Sequence, residues 1–188
     1  MSLVFILLLL TGNALVGLGI FLRNPRLPLN QWYAAFVFAL NIWIFANYFE
    51  NEPALIGSES IGFFLRLDFA LAPILFFFLF RFAVILTTYE SNFFRSAFMR
   101  IVSVAPLIPA AILPFQGGIL IRNISFSNGV IHFENGSLPV VLLYTTILCV
   151  YALLGLSTLF WGRRLALREG DMLKKKQIDL LFTGAAVS

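Results

Sequence analysis

Residues 61–86, IGFFLRLDFALAPILFFFLFRFAVIL, are the feature that most constrains what this chain can fold into. The run is long enough to cross a bilayer, because about 20 apolar residues in a helix span a hydrocarbon core of about 30 Å. It nevertheless carries Arg66, Asp68 and Arg81, together with Pro73. Ionisable side chains inside lipid are costly and need a partner, a polar cavity or an exit to the interface. The run therefore predicts a membrane helix that contains a polar site.

Helix geometry separates the charges of this run. At about 100° per residue, Arg66 and Asp68 point to nearly opposite faces and do not neutralise each other. Arg66 and Arg81 lie near the expected ends of the helix, where a long aliphatic stem lets each charge reach the headgroups. Asp68 is too short for that, so we expect it to be protonated, paired with a neighbouring helix or open to a water-filled cavity. Pro73 removes the helical donor to the carbonyl of Phe69 and favours a kink.

Composition places the whole chain in the membrane class. Of the 188 residues, 60% are hydrophobic and 12% are charged, and the mean hydropathy is +0.93, which is too apolar for one soluble core. The net charge of +4 comes from residues between the apolar segments, so it acts as a topology signal and forms no groove for nucleic acid. Cys149 and His132 are each the only residue of their type, so we predict no disulfide, no metal site and no cofactor.

Six apolar segments predict an all-α multi-pass membrane helix bundle with five full spans and the start of a sixth. Their expected bounds are residues 2–22, 32–49, 61–87, 97–115, 138–161 and 178–188. Pro106, Pro109 and Pro114 predict that the outer half of the fourth helix is kinked or partly unwound. Gly170 and Asp171 have the character of a C-cap followed by an N-cap ahead of the sixth helix. Because the sixth segment rises only about 16 Å, we expect one membrane domain over residues 1–188, truncated at its C-terminal end.

Residues 119–134 interrupt the helical pattern. They form two short β-prone runs joined by Ser127, Asn128 and Gly129. Asn-Gly between such runs is the strongest short-range signal for a hairpin. The sequence therefore predicts a small extracellular β-hairpin between helices four and five, placed to lid the outer ends of the helices.

The distribution of basic residues orients the predicted bundle. Most of them follow helices one, three and five: Arg23, Arg26, Arg95, Arg100, Arg163, Arg164, Arg168, Lys174, Lys175 and Lys176. Arg66 and Arg122 fall on the opposite side, and Arg81 lies near the inner end. Because cytoplasmic segments carry the excess of lysine and arginine, we expect a cell-membrane protein with its N-terminus outside.

In the order of its motifs, the chain resembles the N-terminal seven-helix sensor region of bacterial sensor histidine kinases, along nearly its whole length. The resemblance rests on Asn24-Pro25 with Asn30 in the first inner turn, Trp43, the RLDFALAPILFFFLFRF run, the hairpin ending in Gly136, and the arginine-rich turn leading through Gln177 into LLFTGAAVS. It implies seven crossings that feed a cytoplasmic kinase or similar output module. The last helices and the catalytic motifs of such a kinase are missing from this sequence, so we assign it no enzymatic activity.

The leading hypothesis is a membrane-embedded input domain of a two-component signalling protein, which senses an external or bilayer signal by a two-state repacking of helices. Its expected partners are the lipid bilayer, a small ligand or lipid, a cytoplasmic kinase or other output module and, as an open alternative, a second copy in a homodimer. The candidate ligand-binding residues form an expected buried polar cluster and a hairpin group: Asn41, Arg66 and Asp68, and Arg122, His132 and Glu134.

Two alternatives stay open. The intramembrane asparagines, Asn41 among them, are equally suited to hydrogen bonds between helices that serve packing alone. The chain is also suited to a small transporter or channel subunit that uses Asp68 as an ion or proton site. A membrane-embedded enzyme has less support, because one histidine, one cysteine and scattered acids make too thin a catalytic inventory.

Overall fold

The computed structural model describes residues 3–52, 55, 57–88, 103–127 and 130–187. Its helices are α1 (Leu3–Arg23), α2 (Pro28–Glu50), α3 (Ser58–Thr88), α4 (Leu107–Ile112), α5 (Leu138–Glu169) and α6 (Met172–Val187). A short 3-10 helix at Leu113–Phe115 follows α4, and strands β1 (Ile121–Ser127) and β2 (Val130–Asn135) precede α5. The chain is therefore mostly helical with a small antiparallel hairpin, as predicted.

Helices α1, α2, α3 and α5 are each long and apolar enough to cross a membrane. The 31 residues of α3 and the 32 residues of α5 rise roughly 46 to 48 Å, which exceeds the hydrocarbon thickness of about 30 Å. Both helices are therefore longer than a crossing requires. These lengths and compositions are those of a multi-pass membrane protein.

The predicted fourth span is broken where the structure describes it. Its first part, residues 97–102, lies outside the described residues. Over residues 103–115 the helix is interrupted by a turn at Ala105 and Pro106, resumes as α4 and ends in the 3-10 helix that contains Pro114. Both irregularities coincide with prolines, which cannot donate a helical hydrogen bond. The predicted irregularity of this segment is confirmed.

The helix caps predicted at Gly170 and Asp171 are confirmed, although the helices beside them are longer than predicted. Gly170 has φ of +72°, a left-handed conformation that ends α5 at Glu169 rather than at residue 161. Asp171 Oδ1 accepts a hydrogen bond from the backbone N–H of Lys174 at 2.9 Å, so α6 begins at Met172 rather than at residue 178. The basic residues predicted to form a loop therefore lie on the last turns of α5 and the first turns of α6.

The turn between α1 and α2 is held by side-chain amides. Asn30 Nδ2 donates to the carbonyls of Ile20, at 3.0 Å, and Asn24, at 3.1 Å. Gln31 Nε2 donates to the carbonyl of Pro25 at 2.8 Å. The bond to Ile20 satisfies a carbonyl that the last turn of α1 leaves without a helical donor, and the other two bonds hold the turn itself. Together they fix how α2 returns along α1.

Helix α3 is the centre of the packing, since it lies against both α2 and α5, while α1 contacts α2 and α6 contacts α5. The largest buried cluster joins α3, α4, the start of the hairpin and α5. Its members are Leu65, Phe77, Phe80, Val84, Ala110, Leu120, Ile121, Tyr144, Ile147 and Tyr151. The core therefore lies where the hairpin and α5 meet α3.

The hairpin forms as predicted, with Ser127 paired to Val130, although Asn128 and Gly129 lie outside the described residues. A bulge follows Arg122, where Asn123 adopts φ of +47°. The rings of Phe133 on β2 and Phe69 on α3 lie 5.9 Å apart, centroid to centroid. The hairpin is therefore packed onto α3 and is part of the helix assembly.

Candidate functional site

The proline of α3 provides a docking point for α5. Pro73 has no N–H, so the carbonyl of Phe69 lacks its usual helical donor. The structure supplies a replacement, because the hydroxyl of buried Tyr144 donates to that carbonyl. One heptad further along α5, the hydroxyl of Tyr151 donates to the carbonyl of Ser103. Two tyrosines of one helix face thus hold irregular backbone in neighbouring elements.

Replacing Tyr144 with phenylalanine is expected to lower the free energy of unfolding by about 1 to 3 kcal/mol, because it leaves a buried carbonyl unsatisfied. In a Pro73→Ala background the same change should cost less, since an alanine at that position can donate its N–H to Phe69. Chemical unfolding of the four proteins of this cycle in a neutral detergent measures both values. Thr146→Val is the matched control, because the exposed Thr146 hydroxyl bonds within its own helix, to Leu142. An equal cost of Tyr144→Phe in both backgrounds would contradict this account.

Asp68 faces α2 and forms a polar group with residues of that helix. The side chains of Trp43 and Asn47 reach toward its carboxyl group, and Glu50 lies close enough to interact with it electrostatically. Among the described residues, Oδ1 of Asp68 and Oε2 of Glu50 are buried without a hydrogen-bond partner. The predicted second span ends at residue 49, which places Glu50 in the outer loop. In the structure Glu50 is the last residue of α2.

Arg66 and Arg122 line the same cavity, which has a volume of about 770 Å³. Its walls come from α3, from the turn after α4 and from β1: Gly62, Phe63, Arg66, Phe115, Gly118, Ile121, Arg122, Asn123 and Ile124. Arg122 Nε donates to the carbonyl of Gly118 at 2.6 Å. In the described part of the chain, Nε of Arg66 is buried with no hydrogen-bond partner. The structure thus brings together two of the six predicted site residues.

The other four predicted site residues are not among those that line the cavity. Asn41 Nδ2 donates to the carbonyl of Leu10 at 3.0 Å, so it connects α2 to α1, as the packing alternative expected. His132 is exposed on β2, where it pairs with Ser125. Glu134 Oε2 accepts a hydrogen bond from Asn123 Nδ2 at 2.7 Å. The expected buried cluster of Asn41, Arg66 and Asp68 is therefore divided among three different faces.

At the C-terminal end of α3, far from the cavity, α3 meets α5 and α6 around Thr87. Thr87 is 2% exposed and lies against Gly162 of α5. Its carbonyl accepts a hydrogen bond from Lys174 Nζ of α6 at 3.3 Å. Asp179 of α6 accepts from Arg163 Nε of α5 at 2.6 Å. This junction connects α3 directly to the helix with which the described chain ends.

Arg81 contacts an aromatic ring at the same end of α3. Its guanidinium carbon lies 5.1 Å from the centroid of the Trp32 ring on α2. A cation over a tryptophan face is stabilised by the ring quadrupole. Trp32 also contacts the rings of Phe77 and Phe78, so this charge is attached to the packed interface of α2 and α3.

Comparison of the chain with models of known families, with curated proteins and with solved structures finds no match in any of the three. In the described residues there is no group of three or more potential metal ligands. The function is therefore inferred from the helix assembly, from the cavity lined by Arg66 and Arg122, and from the carboxyl groups of Asp68 and Glu50.

Proposed function

We propose that this chain is a membrane-embedded input domain that passes a change at its outer face along α3 to its cytoplasmic end. The observation that carries the proposal is the reach of α3. One helix of 31 residues lines the Arg66–Arg122 cavity in its first half and ends at the Thr87 junction with α5 and α6. Because α3 is one continuous helix, it can carry a displacement at its outer end to the junction at Thr87.

The packing of α3 against α5 supports movement of this kind. Nearer the start of α5 the contact has large side chains: the hydroxyl of Tyr144 donates to the carbonyl of Phe69, and the ring of Tyr151 packs against the ring of Phe77. Nearer the end of α5 the contact has small residues: Gly155 lies against the backbone of Phe80, and Gly162 lies against Thr87. Small residues let helices approach closely, and small sliding motions of packed helices are a common mode of conformational change. In this proposal, the contact at Tyr144 changes when the signal arrives, and the contact at Gly155 and Gly162 transmits the change to α6.

The proposal includes a topology in the cell membrane. The N-terminus and the hairpin lie outside, residues 97–115 cross as well, and α6 begins a sixth crossing. The support is the distribution of charge, because the basic residues at the ends of α1 and α5 and at the start of α6 belong on the cytoplasmic side.

Labelling of single cysteines is expected to confirm this topology. In a Cys149→Ser background, His132→Cys on the hairpin should react with a membrane-impermeant maleimide in intact cells. Leu173→Cys, at a position 70% exposed on α6, should react only after permeabilisation. The two variants control for each other, and the opposite pattern of labelling would overturn the topology.

The resemblance to bacterial sensor histidine kinases supports a cytoplasmic kinase or similar output module, and a homodimer stays an open alternative. The test is to read the coding sequence past codon 188 in the same frame. Further helices followed by a histidine-containing dimerisation helix and an ATP-binding domain would support the proposal. A stop codon followed by an unrelated gene would contradict a fused output module.

A second candidate function, an ion or proton transporter subunit, is favoured by the pairing of Asp68 with Glu50. Two carboxyl groups with unpaired buried oxygens, on neighbouring helices of the described chain, have the chemistry of a cation or proton site. Proton flux into liposomes that contain the purified chain tests it. Flux abolished by Asp68→Asn and retained in Glu169→Gln, an exposed acid on α5, would favour this function. Flux that is unchanged by Asp68→Asn would exclude Asp68 as the site.

A further inference from the structure

We propose that the cavity between α3 and β1 binds an oxyanion, a phosphate or carboxylate group held between Arg66 and Arg122. Anion binding in this cavity does not depend on a signalling role. Only the use of the cavity as the input site rests on the proposed function. The ligand class follows from the charge, the geometry and the size of the cavity.

The charge in the cavity is unbalanced. Two guanidinium groups line it, and none of the described residues in its walls is acidic. Asp68 lies on the other face of α3 and turns to α2. Glu134 lies opposite Arg122 in the strand pairing and accepts a hydrogen bond from Asn123, but it is not among the residues that line the cavity. An anion in the cavity would therefore meet two positive groups in a partly water-excluded place, where charge-assisted hydrogen bonds are strongest.

Arg66 has unused hydrogen-bonding capacity inside the protein. Its Nε is buried and, among the residues that the structure describes, has no acceptor. A buried donor without an acceptor is unfavourable, and a charged one more so. A phosphate or carboxylate toward which the Arg66 guanidinium group turns would give it an acceptor, which favours oxyanions as ligands of the cavity.

The β-bulge arranges the other side of the cavity. In a regular strand, successive side chains point to opposite faces. Here Arg122, Asn123 and Ile124 are consecutive and all line the cavity, because the left-handed conformation at Asn123 breaks the alternation. The hydrogen bond from Arg122 Nε to Gly118 holds the guanidinium group in place. The hairpin thus presents a pre-positioned cation to the cavity.

The remaining walls suit an anion that carries an apolar body. Phe63 is 54% exposed and Phe115 is 42% exposed, and both lie beside the arginines together with Ile124. A volume of about 770 Å³ lies within the range of roughly 300 to 1,000 Å³ that is typical of small-molecule sites. The same oxyanion chemistry is available from a lipid headgroup and from a free anion, so the experiment separates the two sources.

The test measures binding to the full 188-residue chain in a neutral detergent, by the rise of the unfolding temperature with ligand concentration. One arm uses dodecyl phosphate and the other uses inorganic phosphate. Stabilisation by dodecyl phosphate alone identifies a lipid-like ligand, and equal stabilisation by both identifies a free anion; either result supports the site. Dodecyl maltoside, whose headgroup is uncharged and contains no phosphate, is the probe for a non-specific effect of the alkyl chain, and equal stabilisation by it and by dodecyl phosphate alone would overturn the site.

Arg66→Gln and Arg122→Gln should each weaken phosphate binding about tenfold or more, because each removes a charge-assisted contact. Arg122 is exposed, so its substitution is not expected to affect folding, and Arg66→Lys keeps the charge if Arg66→Gln folds poorly. The matched control is Arg164→Gln on α5, whose guanidinium stacks on Phe160 far along the chain.

Binding unaffected by both Arg66→Gln and Arg122→Gln, or no stabilisation by either phosphate, would overturn the proposal. The outcome is independent of the signalling proposal, because phosphate binding measured in detergent requires neither the proposed topology nor an output module. A failed binding test with an output domain found downstream would exclude this input site alone. Successful binding without such a domain would count against a fused output module alone.

Discussion

Replacing Gly162 with alanine is expected to lower the free energy of unfolding by about 3 kcal/mol, near the upper end of the usual effect of overpacking. An added Cβ would lie 2.1 Å from Cγ2 and 2.5 Å from Cβ of Thr87, whereas carbon atoms in contact are separated by about 3.5 to 4.0 Å. Thr87 has no room to move, because it is 2% exposed and its hydroxyl bonds to the carbonyl of Ala83. Relief therefore requires α5 to move away from α3.

The measurement is chemical unfolding of the purified variant in a neutral detergent. Gly12→Ala on α1 is the matched control, because no atom of the described residues lies within 4 Å of the added Cβ. That change should be neutral or stabilising by up to about 1 kcal/mol, since alanine favours the helix. Equal stabilities for the two variants would mean that α3 and α5 do not pack at Gly162. We also expect Gly162→Ala to loosen the hydrogen bond between Lys174 and Thr87, with faster amide exchange at the start of α6.

Replacing Gly136 with alanine is the second change with a large expected effect, also about 3 kcal/mol. The added Cβ would lie 2.0 Å from the carbonyl oxygen and 2.5 Å from the carbonyl carbon of Ile119. These atoms belong to the backbone and cannot rotate away. Gly136 N donates to the carbonyl of Leu120 at 2.8 Å and Ser137 N donates to the carbonyl of Ile119 at 2.9 Å, so a shift breaks the link between the hairpin and α5.

Gly117→Ala is the control for Gly136→Ala, since it lies in the same region and its added Cβ meets no described atom within 4 Å. Chemical unfolding gives the overall stability, and limited proteolysis within the hairpin reports its detachment. We expect cleavage to increase in Gly136→Ala and to stay unchanged in Gly117→Ala. Resistance to proteolysis in both variants, with equal stability, would refute the close approach of the two backbones.

Local chemistry accounts for the parts of the fold that the sequence predicted. The apolar runs predict where the long helices lie, Gly170 and Asp171 predict two adjoining helix caps, and an Asn-Gly pair predicts the hairpin. Each of these signals acts over a few residues, so no knowledge of neighbours is required. The helix bounds were less accurate, because the pattern of apolar residues stops before the helix does, as at Glu50 and at the end of α5.

The candidate site was predicted only in part, for a physical reason. The sequence predicts Arg66 and Arg122 as the outward-facing basic residues. That both line one cavity depends on how β1 docks against α3. It also grouped Asn41 with Arg66 and Asp68, whereas the structure directs Asn41 to α1. Helical spacing shows which residues share a face and does not show which helix that face contacts.

Residue chemistry alone predicts several apolar helices long enough to cross a membrane and shows that Pro73 leaves the carbonyl of Phe69 without a helical donor. That Tyr144 supplies this donor, and that Thr87 packs against Gly162, is visible only once the helices are in contact. The reason is that lipid tails are as apolar as the side chains that face them, so hydrophobicity drives insertion and does not choose partners. Partner choice among membrane helices depends on shape and hydrogen bonding, which arise when the helices are in contact.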